Sequence, residues 1–160
     1  SKISVSNARV FLSSWIQQGG GTTVEGFKKL KSEEQEAVET FIRGLPLYAI
    51  VGKYILVHSG IIVEKGKVID DVNSFMKEQM SDDLLWSREE FYRKKAIDGY
   101  TVVFGHTKTE SISPHYGDPW KIWHDNKHND KIGIDCGAVD GRVGGRLGCL
   151  CLDTKEEFYV

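Results

Sequence analysis

Two histidines occupy equivalent positions in this sequence, each just beyond an apolar run. His58 follows the run 54–57 directly, and His106 follows the run 102–104 after a single glycine. The end of a strand holds a side chain rigidly, and ligands usually bind in the loops after the strands of layered α/β folds. Neutral imidazole is a common ligand for zinc, iron and manganese-type ions. The repeated arrangement predicts a metal site. The alternative is that each histidine is buried and forms hydrogen bonds with the backbone.

Arg88 is a candidate phosphate ligand, because it follows the apolar residues 84–86, which would anchor it in a fixed position. Its planar guanidinium matches two phosphate oxygens in a way that lysine cannot reproduce. Spacing alone favours an exposed arginine at a helix start that pairs with Glu89 or Glu90. Both interpretations stay open from the residues alone.

Two other groups of residues in the chain suggest a binding site, but their spacing matches known motifs less well. His115, His124 and His128, with Cys136, lack the tight spacing of a structural zinc site, and no CxxC occurs. We expect these histidines to be solvated loop residues. The glycine-rich segment 141–146 lacks the lysine and Ser/Thr of a P-loop, so it is interpreted as a connection between two strands.

Hydrophobic periodicity predicts the helices that support these residues. The first contains Phe11 and Trp15 and ends at the glycines 19–21. The second begins with a capping box at 32–35 and ends at Gly44 and Pro46. The third begins after Asp71, and a short fourth begins with a capping box at 87–90. The predicted buried stripes are Ala37, Val38, Phe41, Ile42 and Leu45 on the second helix, and Val72, Phe75, Met76 and Met80 on the third.

Strands are predicted where short apolar runs meet turn residues. Runs 47–51 and 54–57 are joined by Gly52 and Lys53, which suits a type II′ hairpin turn. The second run is continuously apolar, so both of its faces should be covered. Further strands are expected at 100–104, 131–136, 147–152 and 157–160, after an irregular or hairpin segment at 107–131. Helices and strands alternate at first and strands then dominate, which indicates a layered α/β or α+β domain.

Composition limits the class of protein. With 160 residues, 40% hydrophobic and 28% charged, the chain suits one soluble globular domain. Its net charge of −2 gives no electrostatic footprint for nucleic acid or an anionic membrane. The odd number of cysteines, without framework spacing, predicts reduced thiols and a cytoplasmic location. Neither a signal peptide nor an apolar run of about 20 residues is visible.

Six motifs in order give the sequence a family resemblance. They are Trp15 with Gly19, Gly20 and Thr23; Leu45 and Pro46; the segment 57–61 (VHSGI); the segment 85–89 (LWSRE); the segment 104–107 (FGHT); and the segment 134–138 (IDCGA). From about Trp15 onward, the chain resembles the bacterial and phage branch of the serine/threonine phosphoprotein phosphatases. This branch contains the bacteriophage lambda phosphatase and the symmetrical diadenosine tetraphosphatases.

The resemblance implies a fold, a chemistry and site residues. The fold would be the calcineurin-like metallophosphoesterase β-sandwich flanked by helices. His58 and His106 would be metal ligands, and Arg88 would bind the substrate phosphate. The cofactor would be two divalent ions, with manganese expected and iron, zinc or magnesium as alternatives, and a metal-bridging hydroxide would attack phosphorus. The expected substrate is phosphoserine or phosphothreonine in proteins, and the alternative is a dinucleoside tetraphosphate.

The sequence also departs from the family pattern. The motifs GDxHG, GDxxDRG and GNH(D/E), which supply the bridging aspartate, the other ligands and the general acid, do not occur. We therefore expect residues 1–160 to be the C-terminal part of one metallophosphatase domain, with the N-terminal part preceding Ser1 or supplied as a separate polypeptide. The chain by itself is expected to be inactive. The competing interpretation is a non-catalytic binding module. Cys136 stands where the family more often has threonine or serine.

Overall fold

A computed structural model describes residues 5–112 and 117–160 of the chain. The residues fall into two units, Ser1–Leu45 and Pro46–Val160. The sequence-based expectation that both belong to one metallophosphatase domain stays a prediction. None of the helices in the described ranges combines the length and the hydropathy required to span a bilayer.

The described part of the first unit is built from helices joined by short turns. It contains α1 (Val5–Trp15), a π-helical turn (Ile16–Gly20), α2 (Gly21–Lys28) and α3 (Ser32–Arg43). The predicted turn at glycines 19–21 is therefore wrong, because helical structure resumes at Gly21. Gly19 does adopt a left-handed backbone, with φ of 101°, which a residue without a Cβ reaches at little cost.

Helix α3 forms as predicted, but its surroundings differ from the prediction. The backbone N–H of Lys31 donates to Glu34 Oε2 at 2.8 Å, so the capping interaction begins one residue before Ser32. Phe41 and Ile42, expected to be buried, are 67% and 59% exposed. Periodicity shows which face of a helix is apolar, but it does not show whether another element covers that face.

The second unit contains two sheets and four short helices in its described part. The elements are β1 (Tyr48–Val51), β2 (Tyr54–Val57), α4 (Val72–Glu78), α5 (Ser81–Trp86), α6 (Glu89–Tyr92), β3 (Thr101–Phe104), α7 (Thr109–Ile112), β4 (Trp123–His124), β5 (Lys131–Gly133), a 3₁₀ segment (Ala138–Val143), β6 (Gly148–Leu150) and β7 (Glu157–Tyr159). The first sheet has the order β1-β2-β3-β5-β4, and β6 pairs with β7 in the second. Strands β2, β3 and β5 are parallel, whereas β1 and β4 are antiparallel edges. The fold is thus mixed α/β.

Side chains alternate between the two faces of the first sheet, as strand geometry requires. On one face, Ile55, Val102 and Phe104 pack with apolar residues of α4, α5 and α6. On the other face, Val103 and Ile132 pack with side chains that include Leu150 of β6 and Tyr159 of β7. The prediction that both faces of β2 are covered is confirmed.

The local predictions in this unit are correct in kind and inexact in their limits. Gly52 and Lys53 join β1 and β2 as a two-residue hairpin link, with Val51 opposite Tyr54. Asp71 caps α4 by accepting hydrogen bonds from the backbone N–H groups of Asn73 and Ser74. Met80 lies beyond the end of α4 and is 67% exposed, so its place in the predicted buried stripe is wrong. The irregular segment predicted for 107–131 contains α7 and β4.

Candidate functional site

The parallel pairing of β2 and β3 brings His58 and His106 to the same edge of the sheet. Leu56 lies opposite Val103, and two residues further on the backbone N–H of Gly105 donates to the carbonyl of His58 at 2.9 Å. His106 then takes a left-handed backbone conformation, with φ of 65°. This conformation is uncommon outside glycine and is most frequent for Asn, Asp and His. The strand register and this bend together place the two rings side by side.

The two imidazole rings face each other through ring nitrogens. Nε2 of His58 lies 3.2 Å from Nδ1 of His106. The ring centroids are 4.9 Å apart, with an angle of 58° between the ring planes. His58 is exposed and His106 is half-buried, so one side of this pair is open to solvent. We call His58 and His106 the histidine pair.

The surroundings of His106 favour the neutral form of its ring. Burial lowers the pKa of His106, and the positive charges of Arg88 and of protonated His58 lower it further, whereas Asp135 acts in the opposite direction. The edge of the Trp86 ring packs on His106, with centroids 5.5 Å apart. Nε2 of His106 is buried and has no hydrogen-bond partner among the described residues. A histidine that binds a metal must be in its neutral form, and this environment favours that form of His106.

Arg88 lies beside the histidine pair. Its Nη1 donates to Oγ1 of Thr107, the residue after His106, at 3.4 Å. Its backbone N–H donates to Glu90 Oε1 at 2.8 Å, whereas Glu89 forms an ion pair with Arg93 at 3.4 Å. Within the described ranges no carboxylate lies at ion-pair distance from the Arg88 guanidinium. The ion pair with Glu89 or Glu90 that spacing favoured is therefore wrong, and Arg88 is exposed.

A buried serine connects the His58 loop to the Arg88 segment. The Ser59 hydroxyl accepts a hydrogen bond from the backbone N–H of Ser87 at 2.9 Å and donates to the carbonyl of Asp83 at 3.2 Å. The backbone N–H of Ser59 also donates to the carbonyl of Leu84 at 3.0 Å. The predicted capping box at 87–90 is wrong, because Ser87 ends α5 and Arg88 is the residue that precedes α6. These hydrogen bonds fix the position of the backbone between α5 and α6, where Arg88 lies.

Gly60 completes the support of the His58 loop through close packing. A Cβ at this position would lie 2.4 Å from Cδ1 of Phe91, which is far inside van der Waals contact. Phe91 is itself buried against Phe104, with ring centroids 5.1 Å apart. Any side chain larger than hydrogen would displace either the His58 loop or the core beneath it.

The histidine pair fits two ligands of one divalent ion. Metal–nitrogen bonds of about 2.0–2.1 Å with angles between 90° and tetrahedral place two ligand nitrogens roughly 2.8–3.4 Å apart. The observed 3.2 Å lies in that range. In residues 5–112 and 117–160, however, no group of three or more His, Cys, Asp or Glu side chains is placed to hold a metal ion. The described residues therefore provide a partial ligand set.

His124 and His128 lie apart from this pair. His124 is exposed, as predicted, but it lies in strand β4 and not in a loop, with its Nε2 2.7 Å from Oε1 of Glu157 in β7. His128 is half-buried in the loop between β4 and β5. His115 lies outside the described residues. Cys136 is buried in the core on the second face of the sheet.

Sequence reasoning assigned no role to three residues that contact or support the site. Trp86 covers His106, Thr107 accepts a hydrogen bond from Arg88, and Ser59 joins the two loops. Ser59 and Thr107 directly follow His58 and His106 in the sequence, and Trp86 lies two residues before Arg88. That adjacency was the only signal available, since the contacts link residues 19 and 28 positions apart.

Comparisons with known proteins do not identify a relative. No protein-family model, curated protein or solved structure matched the chain. Function is therefore inferred from the sequence motifs and from the geometry of the histidine pair and Arg88.

Proposed function

We propose that this chain is the C-terminal part of a metal-dependent phosphatase of the serine/threonine phosphoprotein phosphatase type. In this proposal His58 and His106 bind one divalent ion, and Arg88 binds the phosphate of a phosphate monoester. The expected substrate is phosphoserine or phosphothreonine in a protein. The proposed fold is the calcineurin-like metallophosphoesterase sandwich. The observed mixed α/β arrangement is consistent with this fold but is a less specific description.

The observation that supports this proposal most strongly is the 3.2 Å between Nε2 of His58 and Nδ1 of His106. Two imidazoles reach this separation when they share a proton or a cation. A shared proton would explain the contact between the two rings, but it would not explain why the Arg88 guanidinium lies beside them without a carboxylate partner in the described residues. A shared cation beside Arg88 gives a site that binds phosphate oxygens from two sides.

Each described residue has a definite task in the proposed reaction. His58 and His106 would each offer a ring-nitrogen lone pair to the ion, and burial favours the neutral form of His106. Arg88 donates charge-assisted hydrogen bonds to the non-bridging oxygens, where negative charge develops during phosphoryl transfer. Thr107 holds the guanidinium next to the histidines. When bound, the pair of manganese-type ions would supply activation of water and neutralisation of phosphate charge.

We propose that the carboxylate ligands come from a segment outside these 160 residues. The described part of the chain brings two imidazoles together without a third ligand. Two histidines alone leave most of the coordination sphere of a divalent cation to water, and bridging of two cations normally uses carboxylates. The resemblance implies that such a segment would carry the GDxHG, GDxxDRG and GNH(D/E) motifs.

Assays of a complete domain test the ligand assignment. His58→Ala and His106→Ala should each abolish manganese-stimulated hydrolysis of p-nitrophenyl phosphate. His124→Ala is the matched control, because this exposed histidine contributes only a surface ion pair and its loss should leave turnover unchanged. Wild-type turnover in either variant of the histidine pair would refute the assignment. Parallel assays with a phosphopeptide and with diadenosine tetraphosphate separate the two substrate classes.

The same chemistry predicts that the chain of 160 residues is inactive by itself. Its manganese-stimulated hydrolysis of p-nitrophenyl phosphate should not exceed that of the His58→Ala variant. Activity above that level would show that these residues are sufficient, and would contradict the need for external carboxylates. Activity restored by adding the complementary half would support the proposal directly.

A further inference from the structure

A second candidate site lies at the edge of the sheet opposite to the histidine pair. A cleft of about 740 Å³ is bounded by the loop 63–69, by residues 93–98 and by residues 127–128. Residues 93–98 precede β3, and residues 127–128 precede β5, whereas His58 and His106 follow β2 and β3. Because these strands are parallel, the two sites lie beyond opposite ends of the same strands. We call this feature the basic cleft.

The basic cleft concentrates positive charge in a chain whose net charge is −2. In the described part of the chain, four of its lysines have no carboxylate at ion-pair distance, namely Lys65, Lys67, Lys94 and Lys127. Two other cations in its lining are neutralised locally, Lys95 by Asp98 and Arg93 by Glu89. Uncompensated charges that share one concave surface create a local potential that attracts an anionic ligand.

The floor and walls of the basic cleft also present apolar side chains. Val63, Val68 and Ile69 come from the loop 63–69, whereas Ile97 on the other side is buried in the core. Val68 is 80% exposed, so a ligand that covered it would remove apolar surface from water. As far as the chain is described, the lining contains no Phe, Tyr or Trp on which nucleobases could stack in succession. The lining therefore suits a ligand that combines carboxylates with aliphatic groups.

A buried ion cluster holds one wall of the basic cleft in place. Lys131 is fully buried, and its ammonium lies 2.7 Å from Asp125 Oδ2 and also contacts Asp130. The same ammonium donates to the backbone carbonyl of Lys94, in the wall, at 2.6 Å. Three charged groups removed from water in this way need every available hydrogen bond to offset desolvation. The hydrogen bond to the carbonyl of Lys94 is one of these bonds, so the backbone of the segment 93–98 is held in place at Lys94.

The two carboxylates of this cluster fix the backbone of two of the three segments that bound the cleft, 93–98 and 127–128. Asp130 Oδ2 accepts a hydrogen bond from the backbone N–H of Ala96 at 2.7 Å. Asp125 Oδ1 accepts one from the backbone N–H of Lys127 at 2.9 Å. The segments that carry Lys94 and Lys127 are thus bound to one buried cluster. A cleft held in a fixed shape spends less free energy on ordering when a ligand binds.

We propose that the basic cleft binds an extended acidic peptide segment of a protein partner. An extended segment offers acidic side chains to the lysines and aliphatic side chains to Val68 and Ile69 within a few residues. The local nature of the positive charge and the lack of Phe, Tyr and Trp in the described lining disfavour a nucleic acid. This proposal does not depend on the phosphatase assignment, because no residue of the histidine pair or Arg88 contributes to it.

Peptide binding to the chain of 160 residues tests the proposal. The probe is a fluorescein-labelled peptide of about eight residues in which Asp and Glu alternate with Leu, measured by fluorescence anisotropy. The double variant Lys65→Glu/Lys67→Glu should weaken binding at least about ten-fold, and the affinity should fall as salt is raised. Lys121→Glu, an exposed charge reversal outside the basic cleft, should bind within about two-fold of the unaltered chain.

The location of binding is tested without any variant. Titration of the ¹⁵N-labelled chain with the peptide should shift amide resonances in 63–69, 93–98 and 127–128. Shifts confined to other segments, or equal loss of affinity in Lys121→Glu, would overturn the proposal. So would tighter binding of a single-stranded oligonucleotide of the same charge through the same lysines, because it would assign the surface to nucleic acid.

Discussion

His58 Nε2 and His106 Nδ1 lie 3.2 Å apart although 48 positions separate these residues in the chain. Two parallel strands in fixed register produce this contact, with Gly105 bonded to the carbonyl of His58. Each strand is buried on both faces, so neither ring can move far without disturbing the core. The sheet therefore fixes the backbone positions from which the two rings project.

This relationship predicts that both rings respond to the same ion. On addition of substoichiometric Mn²⁺ to the chain, the ring resonances of His58 and His106 should broaden together, because both nitrogens face one position. His124, which is paired with Glu157, serves as the internal reference and should broaden much less. His58→Ala should also reduce the broadening of His106. Equal broadening of all three rings would contradict a shared ion.

Arg88 should act through its shape as well as through its charge. In a complete domain, Arg88→Ala should raise the inhibition constant for inorganic phosphate about 10- to 100-fold, since a hydrogen bond to a charged group contributes roughly 1.5–3 kcal/mol. Arg88→Lys should recover only part of this affinity, because an ammonium cannot reproduce the guanidinium fork. Arg43→Ala, on the exposed surface of α3, is the control. Full recovery in Arg88→Lys would exclude bidentate binding.

Removal of the Lys131 ammonium should be far more damaging than removal of the whole ion cluster. Lys131→Met should lower the free energy of unfolding by about 3–5 kcal/mol, because two buried carboxylates lose their cation. The triple variant Lys131→Met/Asp125→Asn/Asp130→Asn should be more stable than Lys131→Met, since it leaves no unpaired charge and its amide oxygens still accept backbone hydrogen bonds. Urea unfolding measures both. A triple variant less stable than Lys131→Met would contradict the charge argument.

Asp125 should make stability depend on pH in the acid range. Burial by itself would raise its pKa, but the hydrogen bonds from Lys131 and from the backbone N–H of Lys127 prevail, so the pKa of Asp125 lies below its ordinary value of 3.8. Below pH about 4 the unfolded chain therefore binds more protons than the folded chain, and stability falls as the pH falls through the folded pKa. Asp125→Asn should flatten this loss between about pH 5 and pH 2 in thermal unfolding, as the linkage relation requires. An unchanged slope would exclude Asp125 as the source.

The sequence was sufficient to predict the strands that carry the histidines. Continuous apolar runs at 54–57 and 102–104 are typical of strands covered on both faces, and a residue just after each strand must lie at the same edge if the strands pair in parallel. The capping of α4 by Asp71 was equally local. These features depend on neighbours within a few residues, and sequence patterns report such neighbours well.

The rest depended on contacts between distant residues. The position of Arg88 follows from the bond between Ser87 and Ser59, which lie 28 positions apart. Lys131 has the sequence character of a surface residue, and only the folded chain shows it fully buried with Asp125 and Asp130. The apolar face of α3 illustrates the converse, because its periodicity suggested burial and Phe41 is 67% exposed.

The length of the central strands determines how far apart the two proposed sites lie. Strands β2 and β3 have four residues each, so their two ends are separated by about 13 Å at roughly 3.3 Å per residue. A polypeptide anchored at one end must pass around the sheet to reach the other. If one partner used both proposed sites, at least about four extended residues would have to join its acidic stretch to its phosphorylated residue, and a shorter tether would restrict it to one end at a time.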